Sequence, residues 1–328
     1  MDVLIVWLGY PGIIQAIEKL QKKFLIKFTE GTMHVICNSD TNEGGIQVWS
    51  QIKISSIFSQ YRIQSNSGNE ITMFLSSEAL LGALRSASSN PSSLTSTIVA
   101  GSSSTVGPVA RDTSGAGAGA AGGRGGGAGG AIETEEVVMR LTKKNDQAML
   151  TFDISGATRM GRAVHVMHDV RIEVMRPADV ARMIEPMCPE PDIHILLPSL
   201  QKLRTIVERL RPMSNIMAIR ANGNGVLQFG INTDSVKVET EWRECANPKT
   251  SEDKQEDDPE HERDPDKLFT VIVSIKSFLK FLNSHVVSTT TIACICQHHC
   301  LILYVYIGEV AEAGGVLTFY VPAVIDDS

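Results

Sequence analysis

The stretch Leu200-Gln-Lys-Leu-Arg-Thr-Ile-Val-Glu-Arg-Leu-Arg211, with Ser199 ahead of it and Pro212 behind, decides the fold class. Leu203, Ile206, Val207 and Leu210 recur at helical spacing, so one face is apolar and must pack on something. Ser199 is the expected N-cap and Pro212 the stop, because a hydroxyl can satisfy the first free N–H groups and proline cannot extend the helix. Strand-type runs follow at 215–221, 226–231 and 236–242, the first two joined by Asn222-Gly-Asn-Gly225. Asn and Gly tolerate positive φ, so this segment predicts a hairpin.

The N-terminal half repeats that order. Ile13, Ile17, Leu20 and Phe24 mark one face of a helix over 13–23. Runs at 24–28, 33–38 and 45–49 come next, with a turn at Glu30-Gly31. Each half thus reads helix, hairpin, third strand ending in Trp (Trp49 and Trp242). A second helix is expected in each, at 77–87 and 274–285. More strands follow these helices, at 135–143 and 147–154 in one half and at 289–296, 300–307 and 316–322 in the other. The chain is read as α+β, two similar domains each with two helices packed on antiparallel sheet; a duplication of this kind is itself a strong architectural signal.

Composition bounds the function. The chain has 328 residues and a formal net charge of −7, which argues against a nucleic-acid partner only until the charge is located. Nine acids and two bases lie between Glu252 and Asp266, so that one stretch carries the whole excess. Residues 86–133 are mostly Ser, Gly, Ala and Thr without an aromatic side chain, too little apolar surface to offset the entropy of ordering. No apolar run has the length of a membrane-spanning helix. The opening apolar run is short and follows Asp2, so a signal peptide is not expected. Six scattered cysteines do not form a disulfide framework, and the expected setting is a reducing, intracellular one.

The predicted helices lean basic on their polar faces. The first carries Lys19, Lys22 and Lys23 beside Glu18, and the second Arg85 beside Glu78. The third carries Lys202, Arg204, Arg209 and Arg211 against Glu208, and the fourth Lys276 and Lys280 with no acid. For any one helix, solubility explains this. Four helices leaning the same way point to a phosphate-facing surface. The absence of aromatic residues on those faces favours backbone contact over base stacking.

At this point the residues are similar to a known family. Gly44-Gly45-Ile-Gln-Val-Trp49, the run from Ile71 to Ala87, His168-Asp-Val-Arg-Ile-Glu-Val174 and Pro191-Asp-Ile-His-Ile-Leu-Leu-Pro-Ser-Leu200 resemble the Hus subunit of the nine-one-one DNA-damage checkpoint clamp. So do Phe278-Leu-Lys-Phe-Leu282 and Phe319-Tyr-Val-Pro-Ala323. The resemblance spans nearly all of the chain outside the two low-complexity segments, but the first ten residues depart from the basic edge strand usual in the family.

It implies a DNA sliding-clamp fold of the PCNA type, with three different two-domain subunits closing into a ring, sheets outside and helices lining the hole. The implied partners are two sister subunits (Rad-nine-like and Rad-one-like), a checkpoint clamp loader and double-stranded DNA held without sequence preference. The implied location is the nucleus. Residues expected to face DNA are Lys19, Lys22, Lys23, Arg85, Lys202, Arg204, Arg209, Lys276 and Lys280. The expected division is 1–157, with an insertion at about 88–133, a connector at 158–168, and 169–328 with an acidic loop at about 246–266.

No catalytic constellation, cofactor or resident metal is expected. Gly117-Ala-Gly-Ala-Ala-Gly122 has dinucleotide-fingerprint spacing but follows no strand and opens no helix. Cys294, Cys296, His298 and Cys300 are zinc-ligand types, yet a straight strand would spread the outer pair over about 20 Å. A turn at Gln297-His298-His299, with buried cysteines on either side, is the simpler reading. The acidic stretch lacks the EF-hand spacing and its glycine. The competing readings are a metal-dependent nuclease or phosphotransferase using that stretch, and a plain interaction scaffold.

Overall fold

In the computed structural model the described residues are 5–7, 11–38, 45–66, 68–87, 132–158, 161–248, 264–287, 290–308 and 314–324. The expected insertion at about 88–133, save its last two residues, the glycine-rich fingerprint within it and most of the acidic loop lie outside them.

The deciding stretch folds as read. Helix α5 spans Leu200–Leu210, with Ser199 at its N-cap and Leu200, Leu203, Val207 and Leu210 buried. The Ser199 side chain makes no capping hydrogen bond, so there the cap is positional only. Strands β11 (Ile216–Ala221), β12 (Leu227–Asn232) and β13 (Lys237–Trp242) follow as an antiparallel meander. The buried Asn222 closes its hairpin, its side-chain oxygen accepting from the N–H groups of Asn224 and Val226. Gly225 has φ +74, and a Cβ there would stand 2.3 Å from the Cys245 carbonyl oxygen, so only glycine fits.

The duplication is explicit in strand order. The first half contains β1 (Ile5–Trp7), α1 (Pro11–Leu20), β2 (Lys23–Phe28), β3 (Thr32–Cys37) and β4 (Gln47–Lys53). A short helix α2 (Ile54–Ile57) and β5 (Phe58–Tyr61) lead to β6 (Ile71–Ser76), α3 (Ser77–Ala87), β7 (Ile132–Lys144), β8 (Gln147–Thr158) and β9 (Ala163–Val174). After the short helix α4 (Pro177–Val180), the second half adds β10 (Ile193–Leu196) before α5. It then adds β14 (Phe269–Ser274), α6 (Ile275–Leu282), β15 (Thr291–Cys296), β16 (Cys300–Ile307) and β17 (Gly315–Pro322). The order β4-β3-β2-β6 of one half matches β13-β12-β11-β14 of the other, and β1-β7-β8-β9 matches β10-β15-β16-β17.

The halves are joined edge to edge. Strand β17 pairs with β4 from Gly315↔Ile52 to Tyr320↔Gln47, and with the β6–β9 pairing this makes one continuous 13-stranded sheet. A Cβ on Gly315 would lie 2.7 Å from the Gln51 carbonyl oxygen, so glycine permits this close approach. One hydrophobic core runs through both halves. In the second half, rings step across it from Trp242 through Phe229, Phe278 and Phe281 to Phe319, with centroids 5.0 to 5.5 Å apart.

Four expectations are corrected. Helix α1 ends at Leu20, so Lys22 and Lys23 are not helical. The Ser77 N–H and hydroxyl both bond the Lys22 carbonyl, and Lys23 opens β2 opposite Ser76. The third strand of the first half runs past Trp49 to Lys53. The fourth helix stops at Leu282 and continues as a 3-10 turn over Asn283–Val286. The connector expected at 158–168 is largely strand: β9 pairs with β8 from Ala163 onward and with β6 at Ile172–Val174. The chain leaves the first half after Val174, and residues 175–192 make the crossing. No helix among the described residues is long and apolar enough to cross a membrane.

Candidate nucleic-acid interface

The helices stand in one row. Helix α3 packs on α1, α1 on α6 and its 3-10 extension, and α6 on α5. Gly12 of α1 marks the junction between halves, since a Cβ there would meet the Val286 carbonyl oxygen at 3.0 Å. Each helix turns its apolar residues into the shared core: Ile13 and Ile17, Leu80 and Leu84, Leu203 and Val207, Phe278 and Phe281. The row therefore presents its polar residues outward, as amphipathic spacing requires.

The nine expected residues divide. Lys19 is exposed on α1 and pairs with Glu18 at 3.3 Å. Lys22 lies just beyond that helix, and the Lys23 ammonium sits 5.7 Å above the Phe74 ring. Arg85 is exposed in the last turn of α3, and Lys202 and Arg209 are exposed on α5. Three of the nine share one concavity. Arg204, Lys276 and Lys280 line a cleft of about 220 Å³ between α5 and α6, together with Glu208, Arg211, Leu279 and Asn283.

Four residues of that cleft lie outside the expected set: Glu208, Leu279, Arg211 and Asn283. Arg211 was legible, because Arg204, Glu208 and Arg211 fall at i, i+4 and i+7 on one helix face. Asn283 carried no signal; its side-chain amide donates to the carbonyls of Leu279 and Lys280 and finishes the end of α6.

The cleft is strongly cationic. Four bases surround one acid, and that acid, Glu208, accepts a hydrogen bond from Arg204 Nε at 2.9 Å. Burial, and then the neighbouring Lys276 charge, hold the Lys280 ammonium below its ordinary pKa. Positive charge crowded into a half-enclosed space is stabilised by an incoming anion, and guanidinium and ammonium groups both suit phosphate oxygens. The arrangement can grip a phosphate. Among the described residues no group of three His, Cys, Asp or Glu side chains is placed to hold a metal ion.

Duplicated antiparallel halves joined at their edges, with four helices in one row, define a sliding-clamp fold. The structure aligns with proliferating cellular nuclear antigen from Entamoeba histolytica at a TM-score of 0.62 and 11% identity, covering 98% of this chain and 99% of that one. It aligns with a chain of the PCNA2–PCNA3 complex from Sulfolobus tokodaii at 0.59 and 10% identity, covering 98% and 99%.

Within that class, the chain belongs to the Hus1-like protein family, whose sequence model matches residues 10–325. It is 28% identical to checkpoint protein hus1 of Schizosaccharomyces pombe over 318 residues, 96% of this chain and 95% of that protein. It is 23% identical to human checkpoint protein HUS1 over 287 residues, 87% and 85% of the two. Family and fold together make it a non-enzymatic checkpoint clamp subunit that works in a multi-subunit clamp with sister subunits. The nuclease and phosphotransferase reading has no support from either.

Proposed function

We propose that this chain is one of three subunits of a nuclear ring that encircles duplex DNA at damage sites, with the helix row α3-α1-α6-α5 facing the duplex. The observation that carries this reading is the basic cleft between α5 and α6, set in that row. A closed ring cannot fall off a duplex, so loose ionic contacts suffice, and the row offers ionic contacts without a stacking platform. Lys19, Lys22, Lys23, Arg85, Lys202, Arg204, Arg209, Lys276 and Lys280 remain the proposed DNA-facing set, joined by Arg211. A checkpoint clamp loader would place the ring.

Two free strand edges, one per half, are suited to the sister subunits. Among the described residues, strand β9 over Ala163–Arg171 pairs with β8 alone, and β13 pairs with β12 alone. Both are exposed, and Met167 on β9 is 52% exposed. Unpaired strand edges of this length are ready templates for another chain.

Co-purification tests the assembly. The tagged chain should bring down two clamp-like chains, Rad-nine-like and Rad-one-like, in equal amounts. A homotrimer, or a stable monomer that ignores both, would overturn the reading.

A further inference from the structure

The cleft between α5 and α6 has a shape that contact with a continuous duplex backbone does not require. Two cations stand on each wall: Arg204 and Arg211 from α5 and its C-cap, Lys276 and Lys280 one turn apart on α6. They close on a half-enclosed space of about 220 Å³. Lys202 and Arg209, by contrast, stand exposed on α5 outside it.

The charge in the cleft exceeds what one backbone link neutralises. Four bases against Glu208 leave a net +3. An internal phosphodiester brings one negative charge, and a sugar on either side holds it at the rim. A phosphomonoester at a strand end brings about −1.5 to −2 at neutral pH and three acceptor oxygens, with a sugar on one side only. It can enter where a continuous strand passes over.

The walls are built for such a group. Glu208 accepts from Arg204 Nε at 2.9 Å, and this i, i+4 pair steadies the guanidinium on the α5 side. The Asn283 amide already donates to the carbonyls of Leu279 and Lys280, so recognition falls to the cations. Burial and then Lys276 hold the Lys280 ammonium below its ordinary pKa. A doubly charged anion relieves that crowding more than a singly charged one.

From this geometry we infer that the α5–α6 cleft is a seat for the terminal phosphate of a DNA strand, preferring the phosphomonoester at a gap to the continuous backbone. The inference rests on the helix row being the DNA-facing surface. Guanidinium groups from one wall and ammonium groups from the other grip the phosphate oxygens together. A ring that slides on loose ionic contacts elsewhere thereby has a place to pause at a broken strand.

The test measures binding of the assembled complex to three linear duplexes that differ only at a one-nucleotide gap, which carries a 5′-phosphate, a 3′-phosphate or hydroxyls on both sides. A phosphorylated gap should bind about tenfold more tightly than the hydroxyl gap, the gain of one further charge-assisted hydrogen bond. The arm that shows the gain names the strand end. Arg211→Gln with Lys276→Gln, both at exposed positions, should keep the fold by circular dichroism and erase the preference. Lys202→Gln with Arg209→Gln should weaken all three duplexes alike and keep it. Equal binding to the three, weakened in each by the cleft variant, would overturn the inference and leave the DNA-facing row standing. Binding to all three that the cleft variant leaves untouched would overturn both. A phosphoserine peptide that displaces the phosphorylated duplex as readily as a 5′-phosphorylated oligonucleotide does would overturn the assignment to a strand end.

Discussion

Helices α1 and α3 of the first half carry Lys19 and Arg85 against Glu18 and Glu78, and so no net charge. Helices α5 and α6 of the second half carry Lys202, Arg204, Arg209, Lys276 and Lys280 against Glu208 alone, a net +4. The strand order of the two halves is the same. Duplication therefore fixed the scaffold and left the charge free to diverge. The first half adds flanking charge only beyond its helix, at Lys22 and Lys23, whereas the second concentrates it in a cleft between two packed helices. Shape is shared; grip is not.

The sharpest way to break this comparison is to reverse charge in one half at a time. Arg204, Arg211, Lys276 and Lys280 changed together to Glu should make the salt dependence of the assembled complex's binding to open-ended linear duplex shallower by about 3 to 4 in log–log slope, at about 0.9 per phosphate contact. Lys19 and Arg85 changed to Glu should alter it by less than half as much. Equal losses from the two halves would show that the cleft has no special role.

Glycines give a second contrast, now in stability. Gly315→Val at the seam between halves should cost about 1 to 3 kcal/mol in denaturant unfolding, because the backbone of β4 leaves no room. Gly82→Ala on α3, with nothing within 4 Å of the added carbon, should instead stabilise by up to about 1 kcal/mol. A neutral Gly315→Val would mean that the seam yields.

The smallest expected effects lie in pH. Burial holds His34 of the first half below its ordinary pKa of 6.5, with its ring bonded to the Ser50 carbonyl and the Thr32 hydroxyl. The folded state thus prefers neutral His34, and this contribution is full above 6.5 and is lost as pH falls toward the lowered folded value. Lys280 of the second half is also lowered, from 10.5, but as a base held charged at cost. There stability rises with pH between the lowered value and 10.5, since the unfolded chain then binds more protons. Thermal unfolding at stepped pH should show a shallow acid loss that His34→Gln removes and a shallow alkaline gain that Lys280→Gln removes.

Much of this architecture was legible because its signals are local. Helix α5 was readable to within a residue from Leu203, Val207 and Leu210, and the Asn222–Gly225 turn named its hairpin. Helix α1 was read too long. Lys22 and Lys23 continue a plausible basic face, and what ends the helix is Ser77, more than fifty positions away. The connector was misplaced for a related reason: β9 has little buried surface to mark it, and only pairing with β8 and β6 makes it strand. The cleft was half legible. Its bases stood on predicted helices, but that α5 and α6 meet, and which bases face each other, is decided by core packing around Phe278 and Leu203.

The most direct measurement follows the assembled complex, placed by its loader on a nicked circular duplex, through a high-salt wash before and after a single restriction cut. The account predicts retention on the circle and release once the duplex has ends, because topology rather than affinity holds the ring. Equal release from circle and linear duplex, or equal retention on both, would contradict it.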